Sequence, residues 1–236
     1  MAIDTHILTY DVPGGPCESI WVADAGAGYQ PGLLLFPNFL GIKDSDVAEA
    51  EWLAALGFNV LLVDYYGVGK RAQDMEGGSA LMQELVADRA LMRGKLEAHL
   101  AQLRAQPNVA AGRAAAVGFC LGGKCVLDLA RSGAEIAGVV IRGVYDPPEL
   151  ASPAMKARLL VCHGWNDPLC PPDALVALGQ ELTEAAVDWR VMAFGHAGHA
   201  FTDEGIPLDE SKSFGHVPFA DGESREATAR FLSDSF

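Results

Sequence analysis

The stretch Ala114-Ala115-Ala116-Val117-Gly118-Phe119-Cys120-Leu121-Gly122-Gly123 decides the fold. Its first four residues are uniformly apolar, as in a strand buried on both faces of a parallel sheet. Two glycines then bracket Cys120, and the residues that follow read as a helix. Strand, tight turn and helix in that order make the G-x-S-x-G nucleophile elbow, here with Cys in place of Ser. A nucleophile on so sharp a turn occupies strained backbone, so its neighbours Gly118 and Gly122 must be small. The turn also sets the thiol at a helix N-terminus, where free N–H groups and the helix dipole favour a thiolate and a developing oxyanion. Cys120 is therefore the candidate nucleophile. The alternative, a buried inert cysteine beside packing glycines, is disfavoured by the strand–turn–helix setting.

Working outward, the same kind of apolar run recurs at Leu33–Phe36, Val60–Val63, Gly138–Ile141 and Leu159–Cys162, with a sixth at Val191–Phe194. Thr5–Tyr10 and Ser19–Ala23 alternate instead, as antiparallel edge strands do. Helices are expected from a cap at Asp44 or Ser45 to Leu56 before Gly57, from about Ser79 to Arg104 with a break at Gly94, after Cys120, over about Pro172–Ala186, and over about Gly222–Leu232. This βαβ rhythm predicts an α/β fold, one domain over 1–236, with a mostly parallel sheet covered by helices on both faces. Ligands sit at the carboxyl ends of the strands in such sheets.

The residues following the later strands fit that rule. After Leu159–Cys162 comes His163-Gly164-Trp165-Asn166-Asp167, and Asp167 lies where the acid of an elbow enzyme belongs. The competing reading is a turn Asp capping the next helix. After Val191–Phe194 comes Gly195-His196-Ala197-Gly198-His199. Two histidines compete for the base; His199, deeper in the last loop, is preferred, and His196 becomes a hydrogen-bonding loop residue. His163 reads as a satisfied polar core residue. His6, His99 and His216 lie outside any constellation, and no metal-binding set at ligand spacing emerges. No cofactor is expected.

The formal charge of −14 argues against nucleic acid and anionic membranes as partners. The five cysteines carry no CxxC pattern and read as reduced thiols, with Cys17, Cys125, Cys162 and Cys170 in the core. The opening residues lack the basic and apolar regions of a signal peptide, so a cytoplasmic protein is expected. The oligomeric state stays open, with a monomer the simpler reading.

With these motifs in hand, the chain resembles the dienelactone hydrolase family over essentially its whole length. The likeness takes in Phe36-Pro37-Asn38-Phe39-Leu40-Gly41, Val63-Asp64-Tyr65-Tyr66-Gly67, the Gly118–Gly123 elbow, His163–Asp167 and Gly198-His199-Ala200-Phe201. It implies an α/β-hydrolase fold, a Cys120–Asp167–His199 triad, and an oxyanion hole from the N–H groups of Leu121 and Phe39. The sequence departs from the type member at two positions: Asn38 stands where that enzyme has a Glu touching the resting thiol, and Asp203 where it has an Arg holding the substrate carboxylate. Tyr66, Arg71 and Arg142 are further pocket candidates; Lys70, Arg71 and Arg142 are the nearest cations, and the simpler reading of each is a surface or loop charge.

The leading expectation is acyl transfer on a small-molecule ester or lactone through an acyl thioester, with neutral substrates preferred over anionic ones. A non-catalytic ligand-binding protein on the same scaffold is the alternative. It would not need nucleophile, acid and base in register. A redox thiol protein leaves the elbow without a purpose.

Overall fold

A computed structural model describes residues 2–148 and 154–236. Eight strands form one sheet: β1 (Ile3–Val12), β2 (Gly15–Asp24), β3 (Gln30–Phe36), β4 (Asn59–Leu62), β5 (Val109–Cys120), β6 (Gly138–Gly143), β7 (Arg158–Gly164) and β8 (Trp189–Phe194). Their spatial order is β1-β2-β4-β3-β5-β6-β7-β8. The β1–β2 hairpin is antiparallel and joins β4 antiparallel; every other pairing is parallel. The antiparallel strands are the two that alternate in sequence, but only β1 is an edge, since β2 lies between β1 and β4; β8, read with the buried runs, is the other edge and is largely exposed.

Six α-helices cover the sheet: α1 (Asp44–Ala55), α2 (Met75–Val86), α3 (Arg89–Arg104), α4 (Leu121–Arg131), α5 (Pro172–Glu184) and α6 (Pro218–Ser233). Helices α2 to α5 bury apolar side chains on one face, among them Leu85, Met92, Leu127 and Leu182. Helices α1 and α6 cover the other through Leu53, Ala54, Phe231 and Leu232. α1 ends where expected, with Gly57 in the left-handed conformation (φ +97°) that suits glycine past a helix C-terminus.

Four boundaries differ from the sequence reading. Helix α2 starts at Met75 behind an Asp74 cap and not at Ser79. Neither Asp44 nor Ser45 caps α1; Lys43 is the N-cap and its N–H donates to Asp46 Oδ2 at 2.8 Å. The long helix breaks at Ala87-Asp88, not at Gly94, because Asp88 accepts the Leu91 N–H at 2.9 Å and starts α3 afresh. Gly94 continues the helix, and a Cβ there would touch the Pro13 ring at 3.4 Å. The last helix starts four residues early, at Pro218, whose fixed φ suits a first helical position.

From β3 the chain winds one way to β4, and from β5 the other way to β6. The topological switch therefore lies between the carboxyl ends of β3 and β5, the crevice where doubly wound sheets hold ligands. Asn38 and Phe39 follow β3, and Cys120 ends β5.

Candidate active site

The elbow is as tight as the sequence implied. Cys120 has φ 47° and ψ −116°, a conformation that non-glycine residues adopt only under constraint. The constraint is visible in the flanking glycines. A Cβ on Gly118 would lie 2.1 Å from the carbonyl oxygen of Gly122, and one on Gly122 would lie 2.3 Å from that of Phe36. The first turn of α4 can therefore rest directly on the backbone leading from β3 to Phe39. Leu121 is the first residue of α4, a position whose N–H has no acceptor within the helix.

Phe39 belongs to a loop held by its carbonyls. Tyr65 donates its hydroxyl to the carbonyls of Pro37 and Asn38, and Tyr66 donates to that of Phe39 at 2.6 Å. Asn38 Oδ1 accepts the Leu40 N–H at 3.0 Å, and its carbonyl accepts the Gly41 N–H at 3.0 Å. The Asn38 side chain is thus spent on shaping the turn. The thiol does not rest on residue 38: Cys120 Sγ lies 3.2 Å from His199 Nε2.

The other ring nitrogen of His199, Nδ1, lies 2.8 Å from Asp167 Oδ2. Asp167 is itself oriented, its Oδ1 accepting the N–H groups of Leu169 at 2.8 Å and Cys170 at 3.3 Å. His199 and Asp167 are both buried. The His199 backbone is locked on both sides, its N–H donating to Ser213 at 2.9 Å and its carbonyl accepting from Gly215 at 2.8 Å. Burial is the largest single influence on the imidazole and pushes its pKa down. The hydrogen bonds to Asp167 and to Cys120 together outweigh it and raise the pKa to about 10. A protonated His199 between a thiol sulfur and a carboxylate is an arrangement able to move one proton to and from a substrate oxygen. His196, by contrast, is exposed, and no hydrogen bond of its side chain is found among the described residues.

A cavity of about 320 Å³ opens over Cys120, bordered also by His199, Asp167 and Asn38. That is the size of a small-molecule site. Of the pocket candidates, Asn38, Arg142 and Asp203 line it and two do not. Tyr66 is 5% exposed and turned into the packing against Tyr65, its hydroxyl committed to Phe39. Arg71 lies near Glu18 and Asp64, outside the lining of the cavity. Position after a strand suggested both; the direction of the side chains excludes them.

Arg142 lines the cavity but is not a free cation. Its guanidinium stacks 4.9 Å over Phe119, donates to Glu49 at 3.2 Å, and donates to Asp221 and Ser224 at 2.7 Å each. Asp203 is likewise paired, with Lys43 at 3.1 Å across 160 residues of sequence. Lys43, Glu49, Asp221 and Arg225 border the cavity and escaped sequence reasoning, since no motif marks them. Three cationic side chains line it against six carboxylates among the described residues. Burial raises the pKa of Asp46 to about 6 and that of Glu49 above its usual range, against the pull of Lys43 on the first and of Arg142 and Arg225 on the second.

Two histidines also depart from expectation. His216 does not stand apart, since its Nε2 lies 3.2 Å from Asp221, and with Glu204 the three bring ligand atoms within 4.8 Å of one another. Asp221 is already engaged by Arg142 and His216, which argues against a cation there. His163 borders the cavity with only one ring nitrogen bonded, so it is not a satisfied core residue. Cys162, read as core, is buried but also borders the cavity. No helix among the described residues is long and apolar enough to cross a membrane.

Comparison with known proteins places this geometry. Two solved structures, m3DLH and the dienelactone hydrolase-like promiscuous phosphotriesterase P91 from metagenomic libraries, are each 33% identical to the chain, with all of both chains covered and a TM-score of 0.91. An uncharacterized Caenorhabditis elegans protein, K02A2.1, is 30% identical over 153 residues, which span 61% of this chain and 94% of that protein. The model of the dienelactone hydrolase family matches residues 20–236. This α/β hydrolase belongs to the dienelactone hydrolase family.

Proposed function

We propose that the protein hydrolyses neutral carboxylic esters or lactones, with Cys120 as nucleophile, His199 as acid and base, and Asp167 orienting the imidazole. The observation that carries this reading is the continuous hydrogen-bond chain from Asp167 through His199 to Cys120 Sγ in the lining of the cavity. The Cys120 thiolate attacks the carbonyl carbon, and the N–H groups of Leu121 and Phe39 receive the oxyanion. Collapse breaks the C–O bond of the ester, and the leaving alkoxide takes the proton from His199. An acyl thioester remains. His199, now neutral, takes a proton from water; the hydroxide adds to the thioester, and the thiolate leaves with release of the acid. Amides are poorer substrates, because the thiolate departs from the shared intermediate more readily than an amine.

The direct Cys120–His199 contact bears on Asn38. The thiol already has its base, so no carboxylate at position 38 is needed to activate it. A non-catalytic binding protein would have no use for this chain of contacts. A second reaction is suggested by P91, named a promiscuous phosphotriesterase. A phosphotriester is neutral, and a cavity whose cations are paired with carboxylates suits it. The test is a panel of aryl esters, lactones and a diethyl aryl phosphate, run with the wild type and Cys120→Ala. Turnover of esters or lactones that vanishes in Cys120→Ala supports the proposal; no turnover of any member by the wild type refutes it.

A further inference from the structure

Asp167 stands on the loop from β7 to α5, and the two halves of that loop are held differently. The first half is tied to the β8 side: Trp165 N–H donates to the carbonyl of Phe194 at 3.0 Å, and Asn166 N–H to that of Ala197 at 2.9 Å. These bonds join Asp167 to the segment that carries His199. In the second half, no backbone–backbone hydrogen bond of Pro168, Leu169 or Cys170 is found among the described residues. What fastens it is a side chain. The sulfur of Cys170 accepts the N–H of Tyr145 at 3.2 Å, and its S–H donates to the carbonyl of Tyr145 at 3.4 Å. Cys170 is 1% exposed, and burial pushes its pKa up to about 12, so the thiol keeps the hydrogen it donates.

Tyr145 follows the end of β6, and the residue before it, Val144, donates its N–H to the carbonyl of Cys120 at 3.0 Å. A closed ring of contacts results. One arc runs from Cys120 through His199 to Asp167 and can move a proton. The other runs from Cys120 through Val144, Tyr145 and Cys170 to Asp167 Oδ1, which accepts the Cys170 N–H at 3.3 Å, and moves none. A thiol is a weak donor and a weak acceptor. Yet no other partner for the N–H or carbonyl of the buried Tyr145 is found among the described residues, so losing the sulfur leaves both unmet. The second half of the loop is then released, and the N–H groups that orient Asp167 are released with it. We propose that Cys170 is a positioning residue whose thiol locks the Asp167 loop to the strand end that holds Cys120, and so keeps the carboxylate against His199. This inference rests on the triad reading above.

The test follows the His199 imidazole by NMR titration, with kcat and KM for a neutral alkyl ester, in Cys170→Ala, Cys170→Val and Cys170→Ser. Valine fills the space of the thiol and makes neither bond, so it answers for alanine should that variant fail to fold. In either, kcat should fall about tenfold, the worth of one hydrogen bond, with KM held within about twofold. The His199 pKa should drop from about 10 by about one unit, because burial pushes it down and the Asp167 hydrogen bond that counters burial is loosened. Cys170→Ser, which keeps a donor and an acceptor, should recover most of both. Cys17→Ala is the matched control. That buried thiol also donates to a carbonyl, of Tyr10 at 3.4 Å, but lies on β2 outside the cavity lining, and its loss should move neither quantity. A His199 pKa unmoved in Cys170→Ala or Cys170→Val overturns the proposal, as does a loss no larger than in Cys17→Ala. Absence of ester turnover in the wild type would refute the parent reading, and the NMR titration alone then decides this one.

Discussion

At the residue scale, the imidazole of His199 carries the greatest burden. It touches Cys120 Sγ at 3.2 Å and Asp167 Oδ2 at 2.8 Å, and these contacts raise its pKa to about 10 despite burial. His199→Ala should lower kcat by about 10²-fold or more, as loss of a general base does. His196→Ala, at an exposed position, should change it less than twofold or so. The raised pKa sets the sign of the pH dependence. His199 keeps the proton destined for the leaving alcohol through neutral pH, so kcat/KM for an alkyl ester should decline only as pH approaches about 10. A decline centred near the ordinary histidine range of about 6.5 would contradict this. Much of this residue-level picture was legible in sequence, because Cys120, Asp167 and His199 each follow a recognisable strand. Tyr66 also follows one and was misjudged, since a motif records order along the chain and not the direction of a phenol.

At the element scale, α4 is the piece on which the site depends, and ten of its eleven residues are buried. Its far end is held by charge. Asp128 accepts from Arg89 at 2.5 and 2.9 Å and from Arg131 at 3.3 Å, and Arg131 also donates to Glu181 of α5 at 2.6 and 2.8 Å. Removing the central carboxylate leaves two buried guanidiniums with less negative charge than they were built around. Asp128→Ala should therefore cost about 3–5 kcal/mol of stability in denaturant unfolding, and lower activity only through that loss. A change under 1 kcal/mol would show that Asp146 and Glu181 suffice. This network joins α3, α4 and α5 and left no sequence signal, because its members are up to 92 positions apart (Arg89 to Glu181). The strands, by contrast, declared themselves through local apolarity. The helix joint at Asp88 was misplaced because a glycine inside a helix looks like a break until the neighbouring Pro13 explains it.

At the scale of the whole molecule, the formal charge of −14 is echoed inside the cavity, where six carboxylates face three cations. The expected preference for neutral substrates does not come from a lone charge on Asp203, because Lys43 pairs with it. The pair is nearly neutral together, and what disfavours an anion is that each cation present already has a carboxylate. Asp203→Asn frees Lys43, so it should raise kcat/KM for a carboxylated ester relative to its neutral analogue by about three- to tenfold at low salt, and less at high salt. An unchanged ratio would place the source of selectivity elsewhere. No reading of the chain alone could have found Lys43, which meets Asp203 only because the α1 loop and the last loop converge over the crevice between β3 and β5.

The central claim, that Cys120 forms an acyl thioester, is tested most directly by intact-mass analysis of the protein quenched during turnover of a slowly hydrolysed ester. A mass increase of one acyl group that maps to the peptide containing Cys120, persists longer in His199→Ala once formed, and is absent in Cys120→Ala is the predicted result. An adduct on any other residue, or full turnover by Cys120→Ala without one, would contradict it.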